Sequence, residues 1–181
     1  MGTVPAEIGI ALVLAYLLIP LVNWLERDSQ AGSERRELIY GSHLRTAFRM
    51  GCNLVVLDAE EPEWTALRDV PPDDRRIDVW WRGDASSRLM LLLAYLMTRT
   101  EDWEDARIRL LGICCAADSS KTAEALQDTL DEARIQAEAV LVEQAGPEEV
   151  AARSADASLV FLPFRLRGNQ PLGLFDAPLA S

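Results

Sequence analysis

Past an apolar start, short apolar runs alternate with longer stretches in which hydrophobic residues recur every three or four positions, the pattern of strands separated by helices. "GSHLRTAFRMG" predicts a short helix with Ser42 as N-cap and Gly51 as C-cap, leading into "NLVVLD" (53–58), an apolar run of the buried-strand type. "EEPEWTALRDVPPDD" reads as a helical turn closed by a proline loop, and "IDVWW" as the next strand. "SSRLMLLLAYLMTRT" predicts a helix with a serine cap, and "ARIRLLGICC" the third strand. In "DSSKTAEALQDTLDEARI", Ala123, Leu126 and Leu130 fall on one face of an amphipathic helix. "AEAVLV" follows as a strand, "GPEEVAARSA" as a helix with Pro147 at its start and Glu148 and Glu149 in its first turn, and "ASLVFLP" as the last strand. Five apolar strands spaced by helices predict an α/β fold, a Rossmann-like three-layer sandwich whose mostly parallel five-stranded sheet is covered on both faces by right-handed crossovers.

The first residues break this pattern. "IGIALVLAYLLIPLVNWL" holds Asn23 as its only strongly polar side chain and, as a helix, would reach roughly 27 Å, near the hydrocarbon thickness of a bilayer. Residues 1–26 are therefore expected to form a hydrophobic, membrane-spanning helix, with Tyr16 and Trp24 toward the interfaces and a bend at Pro20; the rival expectation is a buried or interfacial helix. No basic residue precedes the segment and no small-residue cleavage site ends it, which argues against a cleaved signal peptide. Arg27, Arg35 and Arg36 follow it, so the positive-inside bias places the α/β part in the cytoplasm. Residues 27–37 read as a charged linker, 38–170 as the α/β domain and 171–181 as a tail with Pro171, Gly173 and Pro178.

Composition narrows the functional classes. The chain of 181 residues fits one α/β domain with an appendage, and its formal charge of −11 argues against nucleic acid as a partner. Lys121 is the single lysine among 18 basic residues, which are scattered rather than striped. Cys52, Cys114 and Cys115 lack the spacing of a metal or redox pair and are expected to be reduced, buried core thiols.

Catalytic patterns are absent from the sequence: neither a G-x-G-x-x-G turn nor a phosphate-binding P-loop occurs, and His43, the only histidine, has no nucleophile or acid in a recognisable pattern with it. A helix start at Ser119 and Ser120 offers at most a weak anion site. No cofactor, metal or catalytic residue is expected. The unusual stretch is Trp80 and Trp81, which point to opposite faces of a strand and are bracketed by Asp78 and Asp84, one a candidate cap for the next helix. That helix is apolar nearly all round, more than a domain of this size can bury alone, so a partner surface is expected there.

At "IDVWW", then "LMLLLAYLMTRTEDWEDARIRLL", the sequence resembles the cytosolic C-terminal domain of cation–chloride cotransporters, the solute carrier twelve family of the amino-acid/polyamine/organocation superfamily. In that family a D-V-W-W strand precedes an apolar L-L-x-x-Y-L-L helix, a Trp and a basic R-I-R strand; the matching positions are Ile77, Asp78, Val79, Trp80 and Trp81, then Leu92, Tyr95 and Leu96, then Trp103, then Arg107 to Leu111. The likeness extends more weakly over Leu38 to Arg167 and matches the second half of the family's cytosolic domain; the turn "RGDASS" departs from the glycine- and acid-rich turn of the family. The resemblance implies a regulatory and dimerising role without catalysis, with a transporter membrane domain or a second copy of the chain as partner. One apolar helix cannot enclose an ion path, so this chain alone is not expected to transport ions. The alternative expectation is a membrane-anchored nucleotide or small-ligand sensor of the universal-stress-protein type.

Overall fold

The computed structural model of the protein describes residues 33–59, 61–143 and 145–178. The expected spanning segment, residues 1–26, and the first part of the expected linker lie outside the described residues; among the described residues no helix is long and apolar enough to cross a membrane.

Helix α1 (Ser33–Arg49) starts well before the expected Ser42 cap, so residues 33–37 of the predicted linker are helical and Ser42 sits mid-helix. The reason is local: "SERRELIYGS" contains no proline or β-branched run that would stop a helix from extending toward the N-terminus. Its C-terminus is as expected. Gly51 takes φ +79°, a conformation that glycine adopts without a Cβ penalty. Its amide donates to the Phe48 carbonyl and that of Cys52 to the Ala47 carbonyl, the paired bonds of a Schellman cap. This helix groups with Gly168–Gln170 as one compact unit.

The second unit, built from Val55–Arg167 with the segment from Pro171 onward, is an α/β, Rossmann-like layer structure. Its chain order is α2 (Glu61–Asp69), β1 (Arg76–Trp81), α3 (Ala85–Met97), β2 (Arg107–Cys114), α4 (Ser119–Ala133), β3 (Glu138–Glu143), α5 (Pro147–Arg153) and β4 (Leu159–Phe161). The strands form a wholly parallel sheet in the order β3-β2-β1-β4. Leaving β1, the chain moves outward through β2 to β3 with α3 and α4 on one face; it then crosses the other face through α5 to reach β4 beside β1. Reversing both the direction and the face keeps one hand for all three crossovers, the right-handed sense of parallel connections.

The expected sheet had a fifth strand at 53–58. In the structure residues 52–59 are irregular, and Val55, Val56 and Leu57 are 61%, 37% and 62% exposed. Two short strands absent from the sequence reading, β5 (Arg165–Arg167) and β6 (Gln170–Leu172), form a separate two-stranded sheet, with Arg165 and Asp176 paired at 2.6 Å.

Alternation along the strands builds two cores. On the α3/α4 face Ile77, Val79, Ile108 and Leu110 pack with Met90, Leu91, Ala94, Leu126 and Leu130. On the α5 face Trp80, Leu111, Val142 and Val150 form a smaller cluster, with Leu174 of the tail packed against it. Gly112 lets α4 lie close on β2: a Cβ there would stand 2.7 Å from the Leu126 Cδ1.

Candidate functional site

The expected motif residues divide between the interior and the surface. Ile77, Val79 and Trp80 are fully buried, and Trp81 is half-buried against the α3/α4 core. The Trp80 Nε1–H finds its partner in Ser154 Oγ at 3.1 Å, so a strand tryptophan is tied to the end of α5. Asp78 caps no helix. It is fully buried on the α5 face, where Arg109 forks onto it, Nε to Oδ1 at 2.8 Å and an NH2 nitrogen to Oδ2 at 2.6 Å. The same NH2 donates to the Arg153 carbonyl at the end of α5, and Arg76 Nε lies 3.3 Å from Asp78 Oδ1. The hydrogen bonds that Arg109 donates to Asp78 raise its pKa above the ordinary value. The signal for this network was present in the sequence, an aspartate inside an apolar strand and an Arg-x-Arg in the next, but only the parallel register aligns Asp78 with Arg109.

Asp84, the other bracketing carboxylate, is the α3 cap, in place of the expected serine: its Oδ1 accepts the Ser87 amide and hydroxyl, both at 2.9 Å, and Ser87 Oγ accepts the Arg82 amide. Burial works to raise its pKa, but the Ser87 hydrogen bonds and the nearby Arg82 charge outweigh it, holding the carboxyl below its ordinary value. Trp103 is half-buried beneath the Arg75 guanidinium, 5.3 Å from its ring centre, and Arg75 also donates to the carbonyls of Leu67, Val70 and Asp102. That clamp fixes the end of α2 at the N-terminal edge of the sheet, on the α3/α4 face, where Trp103 joins the core.

Two surface features have functional geometry. The first is the outer side of α3. Met90, Leu91 and Ala94 face the sheet, while Leu92 and Leu96 are 47% and 51% exposed and Leu89 and Leu93 half-buried, so four leucines at helical spacing form an apolar stripe turned from the core. Tyr95 flanks it, half-buried, with the Arg99 guanidinium 5.9 Å from its ring. The second is an open cavity of about 350 Å³ at the C-terminal ends of β1 and β2, lined by Trp81, Arg82, Gly83, Lys121 and Thr122 among others. Arg82 and Lys121 bring two cations to the start of α4, against the Asp118 carboxylate, whose Oδ2 accepts from the Cys115 thiol at 3.2 Å.

Of the cysteines only Cys114 is buried; Cys52 and Cys115 are exposed, contrary to the expectation of three core thiols, because the first follows the α1 cap and the second the end of β2. Burial pushes the Cys114 thiol pKa up, and the charges of Glu143, Cys115 and Asp118 add to it. His43 is exposed on α1, and among the described residues no group of three or more histidine, cysteine or carboxylate side chains could hold a metal ion.

No family model matches the chain, and no curated protein matches it. Fold and surface together define the second unit as an α/β, Rossmann-like module with a leucine stripe turned from the core on one crossover helix.

Proposed function

We propose that the chain is a non-catalytic regulatory and dimerisation module of a cation–chloride cotransporter-like membrane transporter, unable to move ions alone. The observation that carries this reading is the α3 stripe: Leu92 and Leu96 stay half in water in a helix whose opposite side is packed on the sheet. Single exposed leucines need no explanation, but a run of four at helical spacing is the form of a helix that expects a second surface. It falls within the segment whose order of strand, apolar helix, tryptophan and basic strand resembles the family's cytosolic domain. The partner is then the transport body or a second copy, with the α/β part in the cytoplasm beside the membrane and no nucleic acid, metal or cofactor involved. Ile77, Val79 and the core around them serve to hold α3 in place, and Trp80 and Asp78 to hold α5, rather than to react.

The test is the full chain, tagged and recovered in mild detergent from its native membranes, beside the Leu92→Glu/Leu96→Glu variant. Recovery of a multi-helix permease, or of a homodimer, that is lost with the variant supports the proposal. Recovery of a wild-type monomer without companions removes it.

The cavity favours a second reading, a small-ligand sensor: Trp81, Arg82 and Lys121 offer a ring and two cations in one hollow. A thermal-shift panel with ATP, AMP and cyclic dinucleotides separates the two readings. A shift in the wild-type chain that vanishes in Lys121→Ala favours the sensor.

A further inference from the structure

Among the described residues the sheet ends at β4 with one side unpaired: there β4 bonds only to β1. The Ser158 amide donates to Arg76 on the β1 side, so by alternation the amides and carbonyls of Leu159 and Phe161 face the open edge. Both faces of this edge are apolar, Leu159 and Phe161 packing on the α3/α4 core and Val160 on the α5 core, and all three residues are only half-buried.

Elsewhere in the same unit, Val55, Val56 and Leu57 are exposed although two are β-branched and all three are apolar, the composition of a parallel strand buried on both faces. Helix α2, which follows, has no buried residue: its Trp64 is 37% exposed and its Leu67, one helical turn on, is half-buried. An exposed strand-like segment and a helix without a buried residue thus stand next to each other in the chain, and among the described residues a matching edge is open in the same unit.

Topology says where they belong. The Arg75 clamp holds the end of α2 at the N-terminal edge of the sheet on the α3/α4 face. A strand beyond β4, linked through a helix on that face to β1, moves in the same direction across the same face as β1-α3-β2, and so has the same right-handed sense. From the edge beyond β3, the connection to β1 would run in the reverse direction across that face and be left-handed.

We propose that Val55–Leu57 adds to the open edge of β4 as a fifth parallel strand, with α2 closing over the α3/α4 face, and that the arrangement seen here is the open one of two. The occupant is the chain's own segment rather than that of a second copy, because the Arg75 clamp and the short connection through α2 tether it near the edge at high effective concentration. Closure would pair the outward amides of β4 and withdraw three large apolar side chains from water. This inference does not rest on the transporter reading.

Amide exchange of the full chain in mild detergent, resolved by residue, tests it. Closure predicts that the Leu159 and Phe161 amides exchange about tenfold or more slowly in the wild type than in Val56→Pro, in which proline disrupts the added strand. The Leu110 amide, in the centre of β2, should be unchanged and so report an intact four-stranded core. Should Val56→Pro disturb Leu110, Val56→Asp serves instead, since it keeps the backbone amide but opposes burial. Exchange at Leu159 and Phe161 as fast in the wild type as in these variants overturns the proposal. Protection that fades on dilution also overturns it, because the strand would then come from a second copy.

Discussion

Asp78 and Arg109 face each other across adjacent parallel strands, joined by two hydrogen bonds of 2.8 and 2.6 Å, with the aspartate wholly out of water. The pair does more than balance charge, since Arg109 carries on to the last carbonyl of α5 and so joins β1, β2 and the crossover to β4. Breaking such a pair from the arginine side leaves the buried Asp78 with only the longer, 3.3 Å contact to Arg76. Arg109→Met is expected to cost about 3–5 kcal/mol in urea unfolding, and the double variant Asp78→Leu/Arg109→Met to recover most of that loss. A double variant as unstable as the single one would show that the arginine's packing, not the ion pair, matters.

Trp80 offers a second check on the same face. Trp80→Phe keeps most of the apolar volume but leaves Ser154 Oγ without its donor, so the expected loss is about 1–3 kcal/mol, against about 3–5 kcal/mol for Trp80→Ala. Equal losses in the two variants would mean that the hydrogen bond, and not the ring, dominates.

At Gly112 the constraint is steric. A methyl group 2.7 Å from Leu126 Cδ1 forces the side chain or the helix aside, and Gly112→Ala should lower stability by about 1–3 kcal/mol. Trimming the neighbour in Gly112→Ala/Leu126→Val should restore part of it, as read by thermal unfolding.

The α3 cap gives a pH dependence with a definite sign. The folded pKa of Asp84 lies below its ordinary value, so its contribution is complete above the unfolded pKa and is lost as pH falls through the folded one. Asp84→Ala is expected to cost about 1 kcal/mol at neutral pH, and the gap from the wild type to shrink only below about pH 4. A gap that instead narrows between pH 6 and 8 would exclude the carboxylate as the cap.

Much of this architecture is legible along the chain. Alternating apolar runs mark β1 through β4, Leu126 and Leu130 mark the inner face of α4, and Pro147 marks the start of α5, because local periodicity and helix-end chemistry are properties of neighbouring residues. The same holds for Gly51, whose positive φ ends α1. The candidate partner surface was legible only in outline: the sequence shows that α3 is too apolar to be buried all round, yet which leucines remain outside depends on how the helix is rotated against β1 and β2.

What the sequence determined by itself is therefore the succession of elements from α2 to β4 and the strand positions that alternate between two cores. The tertiary structure alone decided three things. Parallel register brought Asp78 to Arg109, thirty-one residues away, and made a strand carboxylate half of a buried ion pair. The order β3-β2-β1-β4 left the edge of β4 open and Val55–Leu57 outside the sheet, although their composition is that of a strand. The rotation of α3 turned Leu92 and Leu96 to solvent. Each depends on which segments meet across long separations, and hydrogen-bond pairing and helix rotation are fixed by those contacts rather than by the residues next in the chain.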